Sequence, residues 1–63
     1  LVVQMPDTTY VIEQKANGTA QEALDQINRK GYALHYETDG HKVVKIGVQF
    51  DRDTMTVGKY LVN

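Results

Sequence analysis

Tyr10-Val11-Ile12-Glu13-Gln14-Lys15-Ala16-Asn17-Gly18-Thr19-Ala20-Gln21-Glu22-Ala23-Leu24-Asp25-Gln26-Ile27 is the stretch that decides the fold. Its first half is rich in β-branched and aromatic residues and reads as a strand running to about Ala16, where Asn17-Gly18 breaks it. Its second half changes period. Thr19 is a good N-cap, and Glu22 three residues on completes a capping box. Ala20, Ala23, Leu24 and Ile27 then recur at i, i+3, i+4 and i+7, one face of an amphipathic helix. Arg29 and Lys30 complement the helix dipole at its end, and Gly31 suits a C-cap.

On the N-terminal side, Leu1 to Met5 reads as a first strand and Pro6-Asp7-Thr8-Thr9 as the turn of a hairpin. On the C-terminal side, Tyr32 to Glu37 is open between a further helical turn and an irregular packed segment. Thr38-Asp39-Gly40 then makes a turn. Lys42 to Phe50 is the clearest strand: Val44, Ile46, Val48 and Phe50 alternate with Lys45, Gly47 and Gln49. Asp51-Arg52-Asp53-Thr54 forms a hairpin loop, and Met55 to Val62 returns as a strand weakened by Gly58. The expected fold class is α/β (α+β): one small ββαββ domain over residues 1–63, with a four-stranded mixed sheet and one main helix on one face. The connection through the helix allows the inner strands to be parallel.

Composition narrows the classes. An apolar fraction of 41% and a charged fraction of 24% belong to a globular domain, not to a disordered tail. At 63 residues the core is near the smallest that folds without help, and with no cysteine neither disulfides nor thiolate zinc sites supply it. The lack of cysteine fits a reducing, cytoplasmic setting. A net charge of −1 offers no global attraction to nucleic acid, so any polyanion contact needs a local patch. No run approaches the ~20 apolar residues of a membrane span. The chain opens and closes on strand-like runs, so we expect a module of a longer protein whose exposed edges favour homo-oligomers.

Glu13 and Lys15, two apart on a strand, share one face. That pairing suits metal-assisted phosphodiester chemistry, one group holding a divalent cation and the other stabilising charge. The plainer alternative is a solvated charge pair. His35 and His41 are too few for a metal site and fit solvated roles, and Lys42, Lys45, Arg29 and Lys30 form either a phosphate-contacting patch or a solvated face. Gly47 marks a bulge or a close helix contact. No phosphate-cradling Gly-rich loop or Ser/His/Asp arrangement is present.

Taken in order, Tyr10 to Lys15, Gly18 to Ile27, Lys30-Gly31-Tyr32-Ala33, and Asp39-Gly40 followed by Lys42 to Phe50 resemble the PD-(D/E)XK nuclease-like superfamily. The nearest likeness is to a small bacterial branch C-terminal to an AAA-ATPase-like domain. The resemblance implies a partial restriction-endonuclease-like core, bound Mg²⁺ and a nucleic-acid substrate. It implies Glu13 as metal ligand, Lys15 as charge stabiliser, and Gln26 and Tyr32 as side chains lining the site. For the last two, a helix-flank amide and a half-buried aromatic are equally open.

Two departures stand out. The family carries an apolar residue facing the helix where Gln14 stands, and its second metal-binding aspartate falls just before Leu1. With a turn around residues 7 and 8, Val2 is expected opposite Glu13 and the position before Leu1 near Lys15. Asp7, ahead of Glu13, spells the family motif but lies at the turn, roughly 20 Å along an extended strand and out of reach of a shared metal. Turnover by this isolated chain is expected to be negligible, and the alternative is a non-catalytic interaction or dimerisation domain of a larger ATPase-like protein.

Overall fold

The computed structural model describes every residue except 32, 33, 38, 39 and 41. Strand β1 is Val2–Gln4, β2 Thr8–Ala16, helix α1 Ala20–Lys30, α2 Leu34–Glu37, β3 Lys42–Asp51 and β4 Thr56–Val62. The four strands form one mixed sheet in the order β1-β2-β3-β4. The two hairpins are antiparallel, and the central β2–β3 pair, joined through the helices, is parallel. The expected α+β class and single main helix are what the chain adopts. Among the described residues no helix is long and apolar enough to cross a membrane.

Helix α1 forms for the reasons its sequence supplies. The Thr19 side chain accepts from the Glu22 backbone N–H while the Glu22 carboxylate accepts from the Thr19 N–H, so both halves of the capping box are made. Gly31 takes the left-handed conformation (φ 67°) and its N–H reaches the carbonyls of Ile27 and Asn28, closing the helix end. Ala20, Ala23, Leu24 and Ile27 are all buried. Leu24 and Ile27 meet Val11 of β2, with Tyr36 of α2 and Val43 of β3 packed against them.

Parity then assigns every strand residue to a face. Val11 is in the core beneath α1, so Thr9, Glu13 and Lys15 share its side and Tyr10, Ile12 and Gln14 take the other. Gln14 is exposed and points away from α1, which corrects the expectation that this position faces the helix. In β3 the partners of Val11, Glu13 and Lys15 are Lys45, Gly47 and Gln49, so those three lie on the helix side. Val44, Ile46, Val48 and Phe50, the most apolar row of the chain, therefore face away from α1. Gly47 touches the helix so closely that an added methyl would collide with the Ala20 carbonyl oxygen and sit 2.8 Å from the Leu24 nitrogen. The close-contact reading of Gly47 is the correct one; the irregularity in β3 falls between Val48 and Phe50.

The first hairpin differs from expectation by two residues. Thr8 and Thr9 join β2, because β-branched residues fit a pleated strand, and the turn contracts onto Pro6-Asp7. The Met5 N–H donates to the Thr8 carbonyl at 2.8 Å. Val2 consequently pairs with Val11, not Glu13. Leu1 pairs with Ile12 through two main-chain bonds, Ile12 N–H to Leu1 O at 2.8 Å and Leu1 N to Ile12 O at 3.0 Å. A strand continued one residue before Leu1 would place that residue opposite Glu13, on the same face, and not beside Lys15.

Candidate functional site

Glu13 and Lys15 occupy the C-terminal half of β2, both half-buried and both on the α1 side. That face is lined by a second stripe of α1 beside its buried one: Glu22, Asp25, Gln26 and Arg29 recur at helical spacing and flank the strand. The Gln26 side-chain amide donates to Glu13 Oε1 at 3.0 Å in a part-buried setting. This bond fixes the carboxylate against the helix, and it uses the amide nitrogen of Gln26, so the carboxylate stays an acceptor.

Beyond Gln26, Lys15 enters an open groove of about 430 Å³ whose other walls are Glu22, Asp25 and Arg29. The two acids there are already engaged. Glu22 holds the helix cap, and its carboxyl is held below the usual glutamate range first by the Thr19 backbone N–H and then by the Thr19 hydroxyl. Asp25 accepts from the Gln21 amide at 2.9 Å. Lys15 and Arg29 thus bring two cations to one groove; Glu13, two residues from Lys15 on the strand, lines a neighbouring depression with Leu1, Ile12 and Gln14. Arg29 joins this groove and not a patch with Lys42 and Lys45; the signal for it in the sequence is its place one turn beyond Asp25 and Gln26 on α1.

The remaining candidates fall elsewhere. Lys45 donates to Asn28 Oδ1 at 2.9 Å, which ties β3 to the far end of α1, and Lys42 pairs with Thr8 on the opposite face of the sheet. The four basic residues therefore do not make one patch. Asp7 sits at the hairpin turn, where its carboxylate accepts from the Thr8 hydroxyl at 3.3 Å and its carbonyl from the Lys42 N–H at 3.2 Å, the turn-forming role expected of it. Tyr32 and His41 lie outside the described residues, as does the side chain of His35.

Among the described residues no three His, Cys, Asp or Glu side chains converge as a metal cluster. Magnesium is held by one or two carboxylates together with waters and substrate phosphates. Glu13 fits the role of one such ligand; by itself it does not complete a cage.

A family model described as the PD-(D/E)XK nuclease superfamily matches residues 1–60. No curated protein and no solved structure matches the chain.

Proposed function

Because the chain belongs to the PD-(D/E)XK nuclease superfamily, we propose that its α1-side groove is a phosphodiester site of nuclease type. The Gln26–Glu13 bond is the observation that carries this reading, since it presets a strand carboxylate beside a same-face ammonium. Glu13 would be the chain's own ligand to Mg²⁺. A bound divalent cation supplies Lewis-acid polarisation of the phosphate and a more acidic water. Lys15 offers its ammonium to the phosphate oxygens, Arg29 adds a second cation at the groove wall, and Gln26 holds the carboxylate in register. Tyr32 is carried in the proposal as a further lining side chain. Nucleic acid is the substrate class, and an upstream ATPase-like domain in a bacterial cytoplasmic parent belongs to the same proposal.

In this reading a second carboxylate completes the metal site for turnover. The β1–β2 register supplies its address: the position before Leu1 would form a non-hydrogen-bonded pair with Glu13, with Cα atoms about 4.5 Å apart. The test is a chain extended by one aspartate before Leu1, assayed for nicking of supercoiled plasmid in Mg²⁺. Nicking that needs the added residue and is lost in Glu13→Ala and Lys15→Ala supports the site. No metal-dependent cleavage, or cleavage indifferent to both substitutions, defeats the enzymatic reading. A second reading, a non-catalytic interaction domain, is favoured by the apolar sheet face turned away from α1.

A further inference from the structure

Between β2 and α1 the chain holds Asn17 in the left-handed conformation (φ 56°) and keeps Gly18 out of it. The positive φ that ordinarily calls for glycine is thus met by asparagine, one residue early. What Gly18 supplies is space. A methyl built on it would collide with Lys15 Cγ and would lie 3.1 Å from Lys15 Cε and 3.2 Å from Glu22 Oε1. The stem of Lys15 therefore runs over the Gly18 α-carbon on its way to the groove it shares with Glu22, Asp25 and Arg29.

Two facts make this contact decisive for where Lys15 goes. The atom in the way is Cγ, whose place is set by χ1 and not by the flexible end of the side chain. The backbone around Gly18 is also held on both sides. Before it, the Asn17 N–H donates to the Phe50 carbonyl at 3.0 Å. After it, Thr19 is locked into the capping box with Glu22, by bonds of 2.9 and 3.1 Å. The charge of Lys15 is felt at its destination: behind the Thr19 N–H and the Thr19 hydroxyl, it adds to what holds the Glu22 carboxyl below its usual range.

We propose that Gly18 is the positioning residue of Lys15, its bare α-carbon opening the path by which the ammonium reaches the α1 groove beside Arg29. This rests on the phosphodiester reading for what Lys15 does there, and not for how Lys15 arrives. A side chain at position 18 drives Lys15 out of its χ1 well. The wells are about 120° apart, and at the end of a four-carbon stem such a change carries the ammonium several ångströms. That exceeds the ~3 Å reach of a hydrogen bond to a phosphate oxygen. Glu13 and its bond from Gln26 lie outside the contact and stay in place.

Gly18→Ala tests the proposal, read by the three-bond couplings that report χ1 of Lys15. In the parent, the Gly18 α protons should show NOEs to the Lys15 side chain. Gly18→Ala should keep the circular-dichroism spectrum and move Lys15 to another χ1 rotamer, with the Glu13 and Gln26 side-chain signals unchanged. Gly58→Ala, whose methyl meets ordinary contacts, should leave Lys15 where it is. In the aspartate-extended chain, Gly18→Ala should lower nicking at least about 10-fold, toward the Lys15→Ala level, and keep the Mg²⁺ response of Glu13. An unmoved Lys15, a parent without the Gly18–Lys15 NOEs, or nicking at the parent level with Lys15 displaced overturns the proposal. An extended parent that does not nick defeats the phosphodiester reading instead, and the couplings still decide the role of Gly18. Should Gly18→Ala lose its fold, combining it with Lys15→Ala removes the colliding Cγ. A double variant that regains the parent's spectrum supports the steric path, and one that stays unfolded overturns it.

Discussion

Replacing Gly47 by alanine tests how α1 is seated on the sheet, and with it how Gln26 reaches Glu13. Gly47 is the β3 partner of Glu13, and its missing side chain is where the helix backbone enters. The added methyl would collide with the Ala20 carbonyl oxygen and lie 2.8 Å from the Leu24 nitrogen and 2.9 Å from Leu24 Cγ. Two of these obstacles are helix backbone, so the strain is not relieved by a rotamer change; α1 must lift. Overpacking of this kind costs about 1–3 kcal/mol, and backbone obstacles put this case near the upper end. The lower chain entropy of unfolded alanine offsets about 0.4–1 kcal/mol. The net loss is about 2 kcal/mol, which for a domain of this size lowers Tm by roughly 8–16 °C. Gly58→Ala is the control, since its methyl would meet the Gln49 carbonyl oxygen at an ordinary 3.5 Å. Thermal unfolding followed by circular dichroism reads both. A Gly47→Ala chain within about 0.5 kcal/mol of the parent, on the scale of a neutral surface change, would refute the seating of the helix.

Other consequences follow from the same local geometry. Thr19→Ala removes the hydroxyl that caps α1 and should cost about 1 kcal/mol in urea unfolding. Because the folded-state pKa of Glu22 is lowered, its contribution is fully present above the ordinary glutamate pKa and is lost as pH falls through the lowered value. Stability should therefore decline on acidification below the usual glutamate range, and Glu22→Gln should flatten that decline in parallel pH titrations. Thr9 is fully buried and its hydroxyl has no hydrogen-bond partner among the described residues. Thr9→Val keeps the shape and removes the orphaned group, so it should raise stability by about 1 kcal/mol; a loss of similar size would show that the hydroxyl is satisfied.

The parts of this fold legible in the sequence are those governed by local chemistry. The capping box at Thr19 and Glu22, the glycine stop at Gly31 and the alternation of β3 each specify an element by contacts within a few residues. The turn of the first hairpin is not legible locally, because Thr8 and Thr9 suit a turn and a strand equally, and only pairing with the rest of the sheet decides between them. A two-residue period also cannot say which face a helix will cover. That is why the apolar row of β3 gave no warning that it would lie opposite α1, or that Gln14 would point to solvent. At the site, Glu13 and Lys15 share a face because strand parity requires it. Their helix partners Gln26 and Arg29 depend on how α1 is rotated over β2, which the buried stripe of Ala20, Ala23, Leu24 and Ile27 determines.

A titration of the aspartate-extended chain with Mg²⁺, followed by NMR at the Glu13 carboxylate carbon and the Gln26 side-chain amide, addresses the site most directly. These two groups share one hydrogen bond, so a cation bound at Glu13 must perturb both. The result expected is a joint, saturable shift that disappears in Glu13→Gln. Shifts confined to other carboxylates such as Asp51 and Asp53, or a response that Glu13→Gln leaves intact, would contradict a metal-assisted site on β2.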